Sequence, residues 1–425
     1  MSTGRPLRAT AVLLASLTAV FGVALAGPAA AQTAPDQDAA PAAAGWLARQ
    51  LVDGNHFEAD YGGTTYPDQG LTADAVLAFA AADVAQDYAV AATEWLAQAA
   101  NIVGYAGNGD TDSYVGPLAK LALVAITQGG DPRSFGADGV DLIDRLQARR
   151  ADSGRFSDLS SYVPPPGETN DFSNGITQSL AIISLLRAGG SGADLKKPAD
   201  FLASSRCDDG GFPLQFDPEP CASDVDTTAF AIQALLAAGR DAAAALDYLE
   251  DVQADGGGFG GSGPTSGLNA NSTGLAAQAL RVGGRTEAAD DAVMYLLGLQ
   301  VGCDAPADQH GAIAYDAKGF EASTAARATA QALYGLTGVG LVDVGNDGDA
   351  AGAPTPECAP PSTTAPSTTT QPPPAQGSSG AAELPATGVR AGSVAAFGVL
   401  LVLAGAGALL LSRPRRGIAP GGERP

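Results

Sequence analysis

Asp224 and Asp226 stand two residues apart in the run Asp224-Val225-Asp226-Thr227-Thr228-Ala229, the part of this chain best suited to acid chemistry. A carboxylic acid keeps its proton near neutral pH only when burial and a neighbouring carboxylate both disfavour its ionised form, and it then becomes a proton donor. Asp224 and Asp226 are the residues such chemistry would use here. The same residues have a plainer use, because Asp and Thr oxygens accept hydrogen bonds from the unpaired N–H groups of a helix's first turn. A sister stretch favours that use. Aligning Gln233 with Gln278 sets Asn269 and Asn271 opposite Asp224 and Asp226, and Asn caps a helix but is no acid.

The elements that must position these residues repeat along the chain. A helix ends near Arg206, a Gly-rich loop carries Phe212, and a second helix runs on Ala, Ile and Leu to Gly239, which can take the left-handed conformation that stops it. An aromatic-Leu or Arg-Leu pair followed by Phe recurs at Trp46…Phe57, Arg145…Phe156, Phe201…Phe212 and Tyr248…Phe259, and copies without the regular Phe start at Trp95 and Tyr295. These six starts are 49, 50, 56, 47 and 47 residues apart. A period near 50 with two helices per unit means hairpins that bury their apolar faces on one another. The expected fold is all-α, an α6/α6 toroid over residues 41–344 with the Ala-rich second helices inside and the partly charged first helices outside. An open solenoid has the same period.

The ends of the chain are of a different kind. Residues 1–31 carry Arg5 and Arg8, an apolar run and a small-residue site ending at Ala31, which together read as a secretory signal peptide cleaved after Ala31. Residues 349–383 are rich in Pro, Ser, Thr, Ala and Gly and read as an extended stalk. In polyproline geometry at roughly 3 Å per residue it would reach on the order of 100 Å. Then come Leu384, Pro385, Ala386, Thr387 and Gly388, an apolar run over 391–412 long enough for one transmembrane helix, and a basic tail over 413–425. Acidic residues outnumber basic ones 46 to 23, which argues against nucleic acid and anionic membrane surfaces as partners.

Four cysteines in an exported chain favour two disulfides, and the pairs nearest in sequence are Cys207 with Cys221 and Cys303 with Cys358. Zinc is the rival reading, but the spacings match no finger or ribbon. His56 and His310 read as solvated loop residues. Asn108, Asp110 and Asp112 alternate as in a calcium loop without its distal Glu, and residues 343–349 are acidic in the same incomplete way, so both read as turns. No metal and no cofactor is expected.

The Gly-rich turn before an aromatic, followed by a Thr-Ala-x-Ala-x-x-Ala-Leu helix, resembles the repeats of terpenoid cyclases and protein prenyltransferases, α/α toroids whose fold is shared by cobalamin carriers and complement-type thioester domains. The resemblance covers roughly residues 41–344. Class II terpene cyclases carry D-x-D-D-T-A here, and their middle Asp protonates a polyene. Asp226 matches that Asp, so the resemblance implies Asp226 as proton donor with Asp224 as its modulator, whereas Thr227 replaces the third Asp. The zinc triad of the prenyltransferases and the thioester sequence are both missing, and the inner helices offer few aromatics to line a carbocation cavity. Residues 384–425 resemble the sorting signal of Gram-positive surface proteins, in which a sortase cleaves after Thr387 and joins it to peptidoglycan. The resulting expectation is a wall-anchored protein, passing through a membrane-inserted precursor, whose non-catalytic toroid binds a small-molecule, lipid or protein ligand. The alternatives are a cyclase-like enzyme using Asp226 and a structural spacer.

Overall fold

The computed structural model describes residues 39–358 apart from 217 and 218. Ala31, the signal peptide, the sorting motif Leu384–Gly388, the apolar run 391–412 and the basic tail lie outside the described residues. Among the described residues, no helix is long and apolar enough to cross a membrane.

Six helices make an inner layer: α2 (Gln69–Ala81), α5 (Val115–Thr127), α7 (Gly175–Arg187), α9 (Val225–Ala237), α11 (Ala270–Val282) and α13 (Ala322–Thr337). Each packs against the next, and α13 packs back against α2, so the ring closes where a solenoid would leave two free ends. The outer layer holds α1 (Ala39–Arg49), α3 (Gln86–Leu96), α6 (Leu142–Gln147), α8 (Ala193–Ser204), α10 (Ala243–Val252) and α12 (Thr286–Gly298). Among the described residues there are thirteen α-helices, one more than the twelve expected, because α4 (Ala99–Ala106) fills the loop between α3 and α5.

The inner helices are apolar on nearly all sides because both layers cover them. Every residue of α9 from Val225 to Leu235 is buried, whereas α10 buries only Ala245, Leu246, Tyr248 and Leu249. Alanine and glycine let the inner helices approach closely. A Cβ added to Gly274 on α11 would lie 2.2 Å from the carbonyl oxygen of Gln331 on α13, so that contact excludes any larger residue.

The recurring Phe is fixed by one hydrogen bond made over and over. In the short strand pairs β1–β2 (Phe212–Pro213 with Ser223–Asp224) and β3–β4 (Phe259–Gly260 with Leu268–Asn269), the Phe faces the residue that opens the next inner helix. Its N–H then donates to a buried hydroxyl one turn into that helix: Phe57 to Thr72, Phe212 to Thr228 and Phe259 to Thr273, each at 2.9 Å. Gln178 accepts from Phe156 in the same way, and in the last hairpin Thr329 accepts from Ile313, which takes the place of Phe. The ring goes into the core, and its backbone donor is satisfied by the helix the loop precedes.

Both expected disulfides are present, Cys207–Cys221 with Cα atoms 5.7 Å apart and Cys303–Cys358 with Cα atoms 5.5 Å apart. Gly338, in the left-handed conformation at φ 66°, ends α13 and turns the chain across the ring. Residues 339–346 then run over the C-terminal ends of α5, α7, α9 and α11. Gln278 Nε2 donates to the Val339 carbonyl, Leu341 N–H donates to Gln233 Oε1, and Arg187 donates to the carbonyls of Leu341 and Val344. Beyond them, residues 349–358, which the sequence places in the stalk, are seated on the outer layer. Ala350 N–H donates to the Asp83 carbonyl, Gly352 N–H to Asp87, and Arg49 to the carbonyls of Ala353 and Pro354.

Candidate functional site

The plug formed by 339–346 occupies the C-terminal ends of the inner helices, so the chemistry gathers toward their N-termini. Asp224 does what its residue type suggests: it caps α9, accepting from Thr227 N–H and from the Thr227 hydroxyl, both at 2.7 Å. Asn269 caps α11 equivalently, accepting from Ser272 N–H at 2.9 Å. Capping therefore accounts for the first residue of each pair.

It does not account for the second. Asp226 is 6% exposed and Asn271 3%, and on each an Oδ1 atom is buried with no hydrogen-bond partner. Both stand second in their helices, seven residues before Gln233 and Gln278, which hydrogen-bond one another at 2.9 Å. The two residues thus share a register on adjacent helices, on the i, i+4, i+7 stripes Asp226–Phe230–Gln233 and Asn271–Leu275–Gln278. Burial, followed by the charge of Asp224, pushes the Asp226 carboxyl up to about 7, against a smaller opposing effect of the Ser272 hydroxyl. A carboxyl raised in this way holds its proton well above the ordinary carboxylate range, so the group can act as a proton donor as well as an acceptor. Tyr315 faces the same carboxyl: burial and then Asp226 raise its phenol.

A second polar cluster lies between α2, α5 and α13. Asp74, Lys120 and Arg327 each stand sixth in their helix. Lys120 Nζ lies 2.7 Å from Asp74 Oδ1, with both side chains 7% exposed. Burial works against the Lys120 ammonium, but Asp74 and Tyr105 outweigh it and its pKa is raised, so the pair is ionic. Arg327 pairs with Asp68 at 2.6 Å and approaches Asp74 at 4.0 Å. The Tyr334 hydroxyl donates to the Asp74 carbonyl at 3.3 Å. Sequence reasoning passed over this cluster, although two charges inside the otherwise apolar runs Gly70-Leu71-Thr72-Ala73-Asp74-Ala75-Val76 and Pro117-Leu118-Ala119-Lys120-Leu121-Ala122 were a signal of it.

The remaining candidates resolve into local structure. The Asn108 side-chain oxygen Oδ1 accepts from the N–H groups of Asp110, Thr111 and Asp112, so this stretch is a turn. Asp112 is held low, at about 2, first by Ser161 N–H and then by the Thr111 hydroxyl. His56 stacks on Trp95 with ring centroids 4.6 Å apart. Among the described residues one three-donor cluster has metal-ligand proximity, Cys303, His310 and Cys358, with the two sulfurs joined in the disulfide. A cleft of about 430 Å³ lined by Asp208, Asp209, Asp247, Tyr248 and Asp251 opens beside Cys207, on the outer side, and does not include Asp226.

No family model matches this sequence, and no curated protein matches it. Solved structures do share its fold. A type II terpene cyclase from Scytonema, 14% identical, has a TM-score of 0.52 and covers 71% of this chain and 97% of its own. A protein from Actinoplanes, 15% identical, has a TM-score of 0.50 over 71% of this chain and 99% of its own. An alpha-amylase from Clostridium perfringens, 10% identical, also reaches 0.50, over 71% and 98%. Identities this low show a common α/α toroid and nothing of shared chemistry, since the same ring is found in a terpene cyclase and in an alpha-amylase.

Proposed function

We propose that this chain is a wall-anchored surface protein of a Gram-positive bacterium whose toroid holds a small ligand at the N-termini of α9 and α11. The observation that carries the ligand reading is the pair of buried, unpartnered oxygens, Asp226 Oδ1 and Asn271 Oδ1, in one register on adjacent helices. Each such acceptor costs about 1–3 kcal/mol when it has no donor, and a molecule bearing O–H or N–H groups offsets both at once. The anchoring half is supported by the order of Leu384-Pro385-Ala386-Thr387-Gly388, the apolar run and the arginines behind it, which suits a sortase joining Thr387 to peptidoglycan. Native mass spectrometry of the protein purified from its own host tests the first half: a retained small molecule is expected, and Asn271→Leu should release it while Asp226→Asn, which keeps the carbonyl acceptor, should hold it. A protein that emerges empty, and that no wall or medium fraction stabilises to heat, rejects the reading. Wall fragments released by a muramidase test the second half, with Thr387 as the expected last residue; a mature chain still ending at Pro425 rejects it.

A second reading, proton donation to a polyene, is favoured by one specific observation, the Asp226 carboxyl pushed up to about 7 beside Asp224. It separates cleanly from the first. Under it Asp226→Asn abolishes turnover of a polyene substrate, whereas retained turnover removes Asp226 as the acid.

A further inference from the structure

Cys303, His310 and Cys358 meet at the end of the segment 349–358, well away in sequence from the acid pair. Their ligand atoms, two sulfurs and one imidazole nitrogen, all lie within 4.8 Å of one another. His310 Nε2 sits 2.7 Å from the Ala305 carbonyl oxygen, which can only accept, so Nε2 carries the proton and Nδ1 presents a lone pair. That Nδ1 lies 3.4 Å from Cys358 Sγ. A ligating histidine is prepared in this way, its second nitrogen fixed by a backbone carbonyl so that tautomer and ring orientation are set in advance. We propose that, once the disulfide is reduced, Cys303, His310 and Cys358 form a site for a zinc-class divalent ion, which then replaces the S–S bond as the link between the segment 349–358 and the ring.

The chemistry balances in two steps. A dithiol or a phosphine with one water supplies two electrons to the S–S bond; the bond breaks, each sulfur takes a proton from the dithiol or from the water, and the reductant leaves as its disulfide or as a phosphine oxide carrying the water oxygen. The divalent ion then binds both sulfurs as thiolates and Nδ1 of the neutral imidazole, and two protons are released. Soft thiolates with one imidazole select zinc-class ions over magnesium or calcium. With metal–sulfur bonds of about 2.3 Å and a metal–nitrogen bond of about 2.0 Å, tetrahedral ligands sit roughly 3.5 Å apart. The existing Nδ1–Sγ separation already matches that, so the sulfurs need only move apart. Both cysteines are on exposed loop segments, which permits the movement. Three protein ligands leave a fourth position for water.

The test uses the full chain with Cys207→Ser and Cys221→Ser, which removes the other two thiols, treated with a phosphine and titrated with Co²⁺ as the optical stand-in for zinc. The expected result is one equivalent bound with visible ligand-field bands and a thiolate-to-metal charge-transfer band, none of which the oxidised protein gives. His310→Ala in the same background should weaken Co²⁺ binding by at least the ~10–100-fold that loss of an outer-shell partner costs. If the serine variant fails to fold by circular dichroism, the comparison is made between the parent and His310→Ala alone, where the His310-dependent part of the binding reports this site. A reduced protein without the charge-transfer band, or one whose affinity is indifferent to His310→Ala, overturns the proposal.

Discussion

Replacing Asp226 with Asn is expected to stabilise this protein, and to do so only as the pH rises. The amide keeps the size and the acceptor of the native side chain but cannot ionise. In the folded protein burial and then Asp224 carry the carboxyl from its ordinary 3.8 to about 7. Across that interval the folded state holds a proton that the unfolded chain has already lost, so stability falls with rising pH between about 4 and about 7 and levels off above. At about 1.4 kcal/mol per pH unit the loss is on the order of 4 kcal/mol. Urea unfolding of parent and Asp226→Asn at pH 4, 5.5 and 8 should therefore give a difference that grows in favour of the variant, reaching on the order of 4 kcal/mol at pH 8. A residue that costs stability where packing alone would choose otherwise is one retained for binding or chemistry. An offset equal at all three pH values, or a parent more stable at pH 8, would show that Asp226 is not buried as an acid and would remove the basis of both functional readings.

Three further outcomes are expected. Thr273→Val leaves Phe259 N–H buried without its acceptor and should cost about 1–3 kcal/mol in urea unfolding, while Thr273→Ser keeps most of the stability. Lys120→Met strands the Asp74 carboxylate in the ring wall and should cost about 3–5 kcal/mol by the same measurement; adding Asp74→Leu should recover much of it, because an apolar pair of that size carries no desolvation penalty. Arg187→Leu removes the donors to the Leu341 and Val344 carbonyls, and at about 1.5–3 kcal/mol for a charged donor the amides of residues 341–346 should exchange roughly 10–100-fold faster, with those of α9 unchanged.

The six hairpins are legible in the sequence because Phe57, Phe156, Phe212 and Phe259 fall at nearly constant intervals ahead of Ala-rich runs. What secures them is not, since the acceptor of the Phe N–H lies 15, 22, 16 and 14 residues on in the four cases and once is Gln178 rather than Thr. Closure of the ring is equally hidden: it depends on α13 meeting α2 across some 240 residues, a contact that no local pattern encodes. The acid pair divides in the same way. Asp224 is readable as a cap from its position alone. Whether Asp226 is a solvated first-turn acid or a buried one is decided by α11 and by the loop carrying Tyr315, which residue type and spacing cannot reveal. The cluster of Asp74 with Lys120 joins residues 46 positions apart, and each alone looks like a stray charge in an apolar helix.

The Cys303–Cys358 bond closes a covalent loop that contains α13 and the plug. When the chain is pulled from beyond residue 358 against its N-terminal end, tension enters the fold directly at Cys303, and everything between the two sulfurs stays slack. Extension therefore strips the earlier helices first, while the helix that completes the annulus is spared the force altogether.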